Sequence, residues 1–486
     1  MSKFNRDILF LIFEVLRNDS KSLFSCLMVN RFWCETVIPI LWRNPWCYDI
    51  NYKNKDYLFI IIISYLYNDI NEFLTRQEIQ LPLLVSSQSL MFDYLSFCRS
   101  INIQTISTII SIGSPLDYIQ FNLQQEFYSL FIKKCPEFKY LDMRSIKPQI
   151  FHFPEAKACL ESLCELKCDT FIDSSYFYGL ARLCQYIQRL VIFNRNTNVN
   201  HGIAKLIEVQ RNLKYFEWID GLYRNLYNPY REILLAIEKK ADIINHIKLK
   251  FMYDDITLRQ VIPKLHKLKT LIVTCFGDFN KDQLNYHDLV VIKIAHITLY
   301  DVSTIIESSG GHIKEVSLNF FPKMLNTDDF DKESLLFIRK IYKKCPSIEY
   351  LSLIFSPSKK NFAEFEKLLK ICQNLKSLLL HVYDPYEEEN NEKMLEYGEE
   401  ILKILIKSNP INLREIRFFD HFKFSLEALE KFLGSWRGHT LSILTTDSIY
   451  ERKYYKKLIN KYKNNCVIKD FKCESPMNVE DMDFKI

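Results

Sequence analysis

The feature that most constrains this chain is a recurring set of three apolar residues. The second lies three positions after the first, and the third lies two positions after the second. The intervals between the centres of the first four copies are 25, 24 and 26 residues. Two weaker copies centre on Ile247 and Ile292. A period of about 20 to 50 residues predicts stacked repeats, each of which buries its apolar face against the next. The clear copies centre on Leu141, Leu166, Leu190, Phe216, Leu271, Val316, Leu351, Leu378 and Ile416.

The residues ahead of two copies predict how a repeat is built. Lys133-Lys134-Cys135-Pro136 precedes the copy at Leu141, and Lys343-Lys344-Cys345-Pro346 precedes the copy at Leu351. Because proline stops a helix, each stretch indicates a helix end followed by a strand. The pattern resembles the leucine-rich repeats, which implies an α/β fold: a solenoid with a curved parallel sheet and outer helices. The family's asparagine after the strand is mostly absent, so the repeats are irregular.

Two observations bear on how far this resemblance extends. The spacing between copies is longer around residues 316–351 and 378–416, and the second gap contains the acidic stretch 384–391, which predicts a solvated insertion. An unrelated α/β domain, whose strands and helices alternate and so imitate a repeat, is the alternative interpretation.

Alternation along each strand predicts which side chains lie on the inner, concave face of the sheet. The apolar positions point into the core, so their immediate neighbours point to the inner face. Tyrosines beside charged residues form a mixture that is typical of protein interfaces. The candidate target-binding residues are Tyr140, Tyr215, Glu217, Lys248, Tyr350 and Arg417.

The amino-terminal segment predicts a short helix that needs cover on two sides. Leu9, Ile12, Phe13 and Leu16 have helical spacing. Residues 8–13 are all apolar, so the helix is apolar on more than one face. Such a helix must be buried by more than one neighbouring surface.

Two further short helices are predicted before residue 45. Ser20 or Ser22 is the predicted N-cap of the second helix, and the third is predicted to end before Pro39. Three helices in about 45 residues bury too little surface to be stable alone. A second surface, from this chain or from another protein, must therefore supply contacts.

The same segment resembles the F-box family along the whole length of its motif. The family usually opens Leu-Pro, and this chain has Phe4-Asn5 there. The resemblance implies a partner, the Skp-type adaptor of a cullin–RING ubiquitin ligase. The alternative is a helical hairpin packed on its own downstream domain. The matching residues are Phe4-Asn5-Arg6-Asp7-Ile8-Leu9, Ile12-Phe13, Leu16, Leu23, Cys26-Leu27, Val29-Asn30-Arg31-Phe32-Trp33 and Leu41-Trp42-Arg43. On this resemblance the residues divided between adaptor contact and the unit's own core are Ile8, Leu9, Ile12, Leu16, Leu23, Leu27, Val29 and Trp33.

Charge and composition indicate which classes of partner this chain is expected to lack. The net charge of +5 from 64 basic and 59 acidic side chains argues against a dedicated nucleic-acid binder, so no nucleic acid is expected. The longest apolar run, residues 58–63, is far shorter than the roughly 20 residues that span a bilayer, so no membrane is expected either. Fourteen scattered cysteines and no signal-peptide pattern predict reduced thiols in a cytoplasmic or nuclear protein.

No motif indicates chemistry. Cys159, Cys164 and Cys168 lie close together without a second pair at zinc spacing, so they are predicted to be buried thiols. The stretch 309–312, Ser-Gly-Gly-His, lacks the Gly-Lys-Ser/Thr ending of a phosphate loop and predicts a helix C-cap. Neither Gly-x-Ser-x-Gly nor His-Glu-x-x-His occurs. We expect no catalytic residue, no metal and no cofactor.

The segment 452–463 interleaves basic and aromatic residues, which could bind phosphates. Tyr455, Leu458, Ile459 and Tyr462 have helical spacing, however, so a terminal helix with a polar outer face is favoured. The predicted organisation is an F-box at 1–45, a helical connecting region at 46–130, irregular repeats at 131–450, and a basic helix with an acidic tail at 451–486.

Three functions follow from this organisation. The favoured one is a non-enzymatic substrate receptor that binds the adaptor through residues 1–45 and an unknown target protein through the repeats. A leucine-rich-repeat scaffold outside any ligase is the alternative. A hydrolase or transferase has no support in the sequence.

Overall fold

The protein is an α/β molecule in which parallel strands alternate with helices. The computed structural model describes residues 5–46, 58, 60–65, 90–113, 117–144, 146–195, 199–221, 230–251, 255–274, 284–319, 329–383, 391–419 and 422–475. The chain divides into two compact units, Met1–Ala236 and Ile237–Ile486. Each is described separately.

Within the described residues the strands are β1 Ser100–Asn102, β2 Tyr140–Asp142, β3 Glu165–Asp169, β4 Arg189–Asn194, β5 Tyr215–Asp220, β6 His246–Lys250, β7 Thr270–Val273, β8 Val291–Ala295, β9 Glu315–Asn319, β10 Tyr350–Phe355, β11 Ser377–Val382, β12 Glu415–Phe418, β13 Leu441–Thr445 and β14 Ile468–Cys473. The helices over the same residues are α1 Arg6–Val15, α2 Ser20–Leu27, α3 Arg31–Leu41, α4 Tyr94–Phe97, α5 Ile103–Gly113, α6 Asp117–Lys134, α7 Ala156–Leu160, α8 Ser174–Leu183, α9 His201–Val209, α10 Arg231–Glu238, α11 Ile256–Val261, α12 Leu299–Glu307, α13 Phe330–Lys344, α14 Lys359–Ile371, α15 Asn391–Ser408, α16 Leu426–Ser435 and α17 Lys453–Asn464.

In the first unit, β1 to β5 pair side by side in parallel and in chain order. The register places Leu141 beside Leu166, Leu166 beside Leu190, and Leu190 beside Phe216. All four side chains are buried. Each fully buried side chain of this size contributes about 2 kcal/mol, so a ladder of them fixes the register of every strand.

The second unit repeats this arrangement over β6 to β14, which also pair in parallel and in chain order. Parallel strands that pair in chain order, with a helix between most successive strands, form a solenoid. The predicted copies at Ile247, Leu271, Ile292, Val316, Leu351, Leu378 and Ile416 therefore form one buried ladder in this unit, and Ile443, which was not predicted, extends it.

The predicted helix-stop-strand order is confirmed at both Lys-Lys-Cys-Pro stretches. Helix α6 ends at Lys134 and β2 begins at Tyr140, while α13 ends at Lys344 and β10 begins at Tyr350. The amide of Cys345 donates to the carbonyl of Ile341, a last helical bond before the proline. The same local sequence therefore makes the same turn in both units.

Three strands lie where the sequence pattern had not been recognised. Strand β1 falls in the region predicted as helical and connecting, and β14 follows the predicted terminal helix. Strand β13 lies between β12, which holds the last recognised copy, and β14. The stretches 47–57 and 66–89 of the connecting region, the insertion 384–390 and the tail after residue 475 lie outside the described residues.

Gly311 allows the turn that leads into β9. Its φ is +83°, a left-handed conformation that favours glycine, and it lies four residues after the end of α12. The Ser-Gly-Gly-His stretch is therefore a turn between helix and strand, in keeping with the predicted helix end.

Candidate docking surfaces

The three amino-terminal helices begin at side-chain caps. Asn5 Oδ1 accepts from the amide of Asp7 at 3.3 Å, Asp19 Oδ1 from Ser22 at 3.1 Å, and Asn30 Oδ1 from Trp33 at 2.9 Å. The prediction of Ser20 or Ser22 as second N-cap is wrong. The carboxylate of Asp19 reaches the free amide, and the hydroxyl of Ser22 donates to it as well, at 2.6 Å.

The third helix continues through Pro39 to Leu41, so its predicted end before the proline is also wrong. Val37 and Ile38 are buried before the proline, and Ile40 and Leu41 are buried after it. Packing of these side chains outweighs the one backbone hydrogen bond that the proline removes.

The segment that follows helix α3 bonds to the repeats of the first unit. The carbonyl of Arg43 accepts from the amide of Arg99 at 2.9 Å and from Ser100 Oγ at 3.0 Å. Trp46 Nε1 donates to the carbonyl of Ser100 at 2.9 Å. Part of the cover that the short helices need is therefore supplied by the chain itself, at β1.

Helix α1 contributes one side to a small core and leaves its other side in solvent. Leu9 and Phe13 are buried, and the Phe13 ring contacts the Trp33 ring edge-on with centroids 5.3 Å apart. On the adjacent face, about 100° around the helix, Ile8 and Ile12 are 48% and 45% exposed. A helix with apolar residues on more than one face has a second surface to bury.

The exposed apolar residues of this region are here called the amino-terminal apolar face. Val15 and Met28 are the most exposed of them, at 84% and 86%. Single exposed apolar residues are ordinary at a surface, whereas eight of them within residues 8–32 make this region a candidate interaction site. The face consists of Ile8, Leu11, Ile12, Val15, Phe24, Met28, Val29 and Phe32.

The eight residues predicted to divide between adaptor and core fall into three groups. Leu9 and Leu23 are buried in the unit's own core. Leu16, Leu27 and Trp33 are half-buried. Ile8, Ile12 and Val29 belong to the amino-terminal apolar face. The other five residues of this face, Leu11, Val15, Phe24, Met28 and Phe32, are outside the predicted set. Leu11 and Val15 follow Ile8 and Ile12 at the helical spacing that could have identified them.

The inner face of the first sheet carries Tyr140, Tyr215 and Glu217. Strand pairing places Tyr140, Glu165, Arg189 and Tyr215 in one row across β2 to β5. Lys167 Nζ lies 5.3 Å from the centroid of the Tyr140 ring. The pairing therefore brings the two predicted tyrosines into the same row, with two strands between them.

Arg189 organises this row. Its guanidinium lies 3.7 Å from the centroid of the Tyr215 ring, 3.2 Å from Glu165 Oε1 and 3.6 Å from Glu217 Oε2. Tyr215 Oη donates to Glu217 Oε2 at 2.8 Å, and burial together with this bond raises the pKa of Tyr215. Glu217 is only 6% exposed, so it positions its neighbours rather than facing solvent.

The second unit carries the other three predicted residues. The pairing of β6 to β12 places Lys248 and Arg417 in the inner row one residue beyond the buried ladder, and Tyr350 in the row one residue before it. Arg417 is 6% exposed, and its Nε donates to Glu415 Oε1 at 2.7 Å. Lys248 and Tyr350 are half-buried. Arg417, like Glu217, is thus part of a buried polar network.

A second charged group lies at the amino-terminal ends of β9 to β11. Lys314 Nζ lies 3.1 Å from Glu349 Oε1, and Lys376 bonds to the other oxygen of the same carboxylate. The hydrogen bonds from Lys376 and Lys314 lower the pKa of Glu349. One carboxylate therefore links residues that lead into three successive strands.

The clustered cysteines are packed separately. Cys159 Sγ lies 3.1 Å from the carbonyl of Ile132, and Cys164 Sγ lies 3.4 Å from that of Ser162. Cys168 is fully buried, which raises its thiol pKa well above the ordinary value. All three are free thiols, and Cys164 is half-buried, so the prediction of buried thiols holds for Cys159 and Cys168 only. Over the described part of the chain, no three His, Cys, Asp or Glu side chains are placed to hold a metal ion.

No helix in the described ranges combines the length and the apolar content needed to cross a membrane.

No protein-family model matches the chain, and no curated protein matches it. Among solved structures, the chain is similar to the crystal structure of a Rad7 and Elc1 complex in yeast. The identity is 11%, the match covers 76% of this chain and 94% of that chain, and the TM-score is 0.30. The chain's function must therefore be derived from its own residues.

Proposed function

We propose that this protein is a substrate receptor of a cullin–RING ubiquitin ligase. Residues 1–45 bind the Skp-type adaptor, and the inner faces of the repeats bind a target protein. The chain catalyses no step itself. Its contribution is effective concentration, because a target held beside the ligase meets the conjugating enzyme far more often than a free one.

The amino-terminal apolar face is the observation that carries this proposal. Helix α1 uses Leu9 and Phe13 for the unit's own core, so Ile8 and Ile12 on its other side are available to a partner. An apolar surface of this kind is stabilised when a second protein removes it from water. The F-box resemblance names the partner that fits it.

The test is binding of the full chain to a purified Skp-type adaptor. Replacing both Ile8 and Ile12 by Asp places two charges in the proposed interface, and we expect at least a hundredfold weaker binding in a titration calorimeter. The repeats should keep their thermal unfolding midpoint, because both side chains are exposed. Leu9 is unsuitable for this test, because it is buried in the unit's core.

Ile256→Asp is the matched control. Ile256 is 71% exposed in the second unit, so the change adds the same kind of charge to an apolar surface position elsewhere. Adaptor binding that survives the double replacement, or that the control weakens equally, would contradict the proposal.

A scaffold outside any ligase is the second candidate. The bonds of Arg43 and Trp46 to Arg99 and Ser100 favour it, because they attach the segment after α3 to the first strand of the repeats, as in a cap. A cap needs no adaptor, so failure of the wild-type chain to bind the adaptor would favour this function.

The solvent exposure of each inner-face residue indicates whether it can contact a target or only positions its neighbours. Tyr140, Tyr215, Lys248 and Tyr350 are half-buried and can contact a partner. Glu217 and Arg417 are buried and hold neighbouring side chains in place. The target itself is unknown.

A further inference from the structure

The terminal helix α17 concentrates the positive charge of the protein. Residues 452–464 contain six Lys and Arg and no acidic residue. The whole chain carries +5, so the rest of it is net −1. The sequence-based expectation of no nucleic acid rested on the small total charge, which hides this local excess.

The helix directs its charges outward. Leu458, Ile459 and Tyr462 are buried, which confirms that the apolar stripe packs inward. Lys453, Lys456 and Lys457 are exposed on the opposite side, at the spacing that places side chains on one helix face. A 12-residue helix is about 18 Å long, so the charged face is extended.

Most of these charges form no ion pair with an acidic side chain in the described part of the chain. Of the six basic residues in 452–464, Lys461 forms an ion pair, with Glu430 at 2.7 Å, and the described part of the chain provides none for the other five. Elsewhere in the second unit, Lys293, Lys314 and Lys376 each face a glutamate. The face is therefore available to an external polyanion.

An exposed aromatic ring lies among these lysines. Tyr454 is 76% exposed, and Lys457 and Lys461 follow it at helical spacing of three and seven residues. Cations that neutralise phosphates, combined with an aromatic ring on which a base can stack, are the elements of single-strand recognition. A bilayer fits less well, because the apolar stripe is packed inside and cannot insert.

We infer that the outer face of α17, with Lys453, Tyr454, Lys456 and Lys457, binds single-stranded nucleic acid. The binding is sequence-tolerant, because stacking and phosphate contacts do not read bases. It is independent of the adaptor-binding face and does not rest on the proposed ligase function.

The test is fluorescence anisotropy of labelled (dT)20 and (rU)20 with the full chain. About three phosphate contacts, one for each lysine of the face, predict that log K falls against log salt with a slope of about −2. Replacing Lys453, Lys456 and Lys457 by Glu should weaken binding at least a hundredfold. Tyr454→Ala should weaken it about tenfold and leave the salt slope unchanged. The oligonucleotide that binds more tightly identifies whether the ligand is single-stranded DNA or RNA.

The matched control replaces Lys133, Lys359 and Lys360 by Glu, which changes the net charge equally at exposed positions outside α17. It should bind within twofold of wild type. No binding by the wild-type chain, equal loss in the control, or tighter binding of a poly-glutamate peptide or of phosphatidylserine vesicles than of either oligonucleotide would overturn the inference.

Discussion

At the residue scale, the inner faces of the sheets depend on charges held in place by other side chains. Arg189 contacts Tyr215, Glu165 and Glu217 at once, and such networks fix side-chain positions more than they add stability. The sequence could identify Tyr215 and Glu217, which flank the apolar residue Phe216. Arg189 also directly precedes an apolar position, Leu190, so its place on the face was predictable. Its contacts across strands depend on pairing and were not.

Glu349 gives a prediction of how the stability of the protein depends on pH. The folded protein holds the pKa of Glu349 below its ordinary value near 4.5, because Lys376 and Lys314 bond to the carboxylate. This contribution is therefore fully present well above pH 4.5 and is lost as pH falls through and below that value. Glu349→Gln should lower the free energy of unfolding by about 1 kcal/mol at pH 7.

Urea unfolding at pH 7 and pH 3.5 measures this difference. The gap between wild type and Glu349→Gln should shrink at the lower pH. Lys332→Met, which removes a partner of the exposed Asp329, serves as a control and should have little effect at either pH. A gap that is the same at both pH values would show that Glu349 does not carry the effect.

At the element scale, most repeats were predictable because their buried residues recur in a fixed pattern. Strands β1 and β14 also fit it, with Cys98, Ile101 and Ile103 in the first and Ile468, Phe471 and Cys473 in the second. Each of these two copies has a cysteine at one of its three positions, as the recognised copy at Leu166 has Cys168. In β13 the residue three positions before Ile443 is Thr440, so the apolar pattern fails there although the strand forms. Pairing with neighbours supplies what the local sequence lacks.

Side-chain caps also stabilise individual helices, and replacement of Asp255 tests how much one cap contributes. Its Oδ1 accepts from the amides of Thr257 at 2.7 Å and Leu258 at 3.1 Å at the start of α11. Asp255→Ala should lower the free energy of unfolding by about 1 to 2 kcal/mol, since two buried amides lose their acceptor.

Chemical denaturation of the full chain measures this cost. Asp255→Asn keeps an acceptor oxygen and should recover most of the loss. Equal destabilisation by Ala and Asn would mean that the charge of Asp255, rather than its cap, stabilises the helix.

At the scale of the whole molecule, each unit is a stack of parallel strands in chain order, and the first unit also carries the three amino-terminal helices. The sequence predicted those helices and the need to cover them. It did not predict how the cover is shared, because the segment after α3 bonds to β1 of this chain while α1 keeps apolar side chains in solvent. That division depends on contacts between residues about 55 positions apart, such as Trp46 with Ser100, which no local pattern encodes.

Hydrogen–deuterium exchange of the full chain, with and without a saturating Skp-type adaptor, tests the central claim most directly. The account predicts slower amide exchange in peptides that cover α1, α2 and the start of α3, and unchanged exchange in peptides that cover β2 to β13. Unchanged exchange over residues 6–33 in an adaptor-bound sample, or protection confined to the repeats, would contradict it.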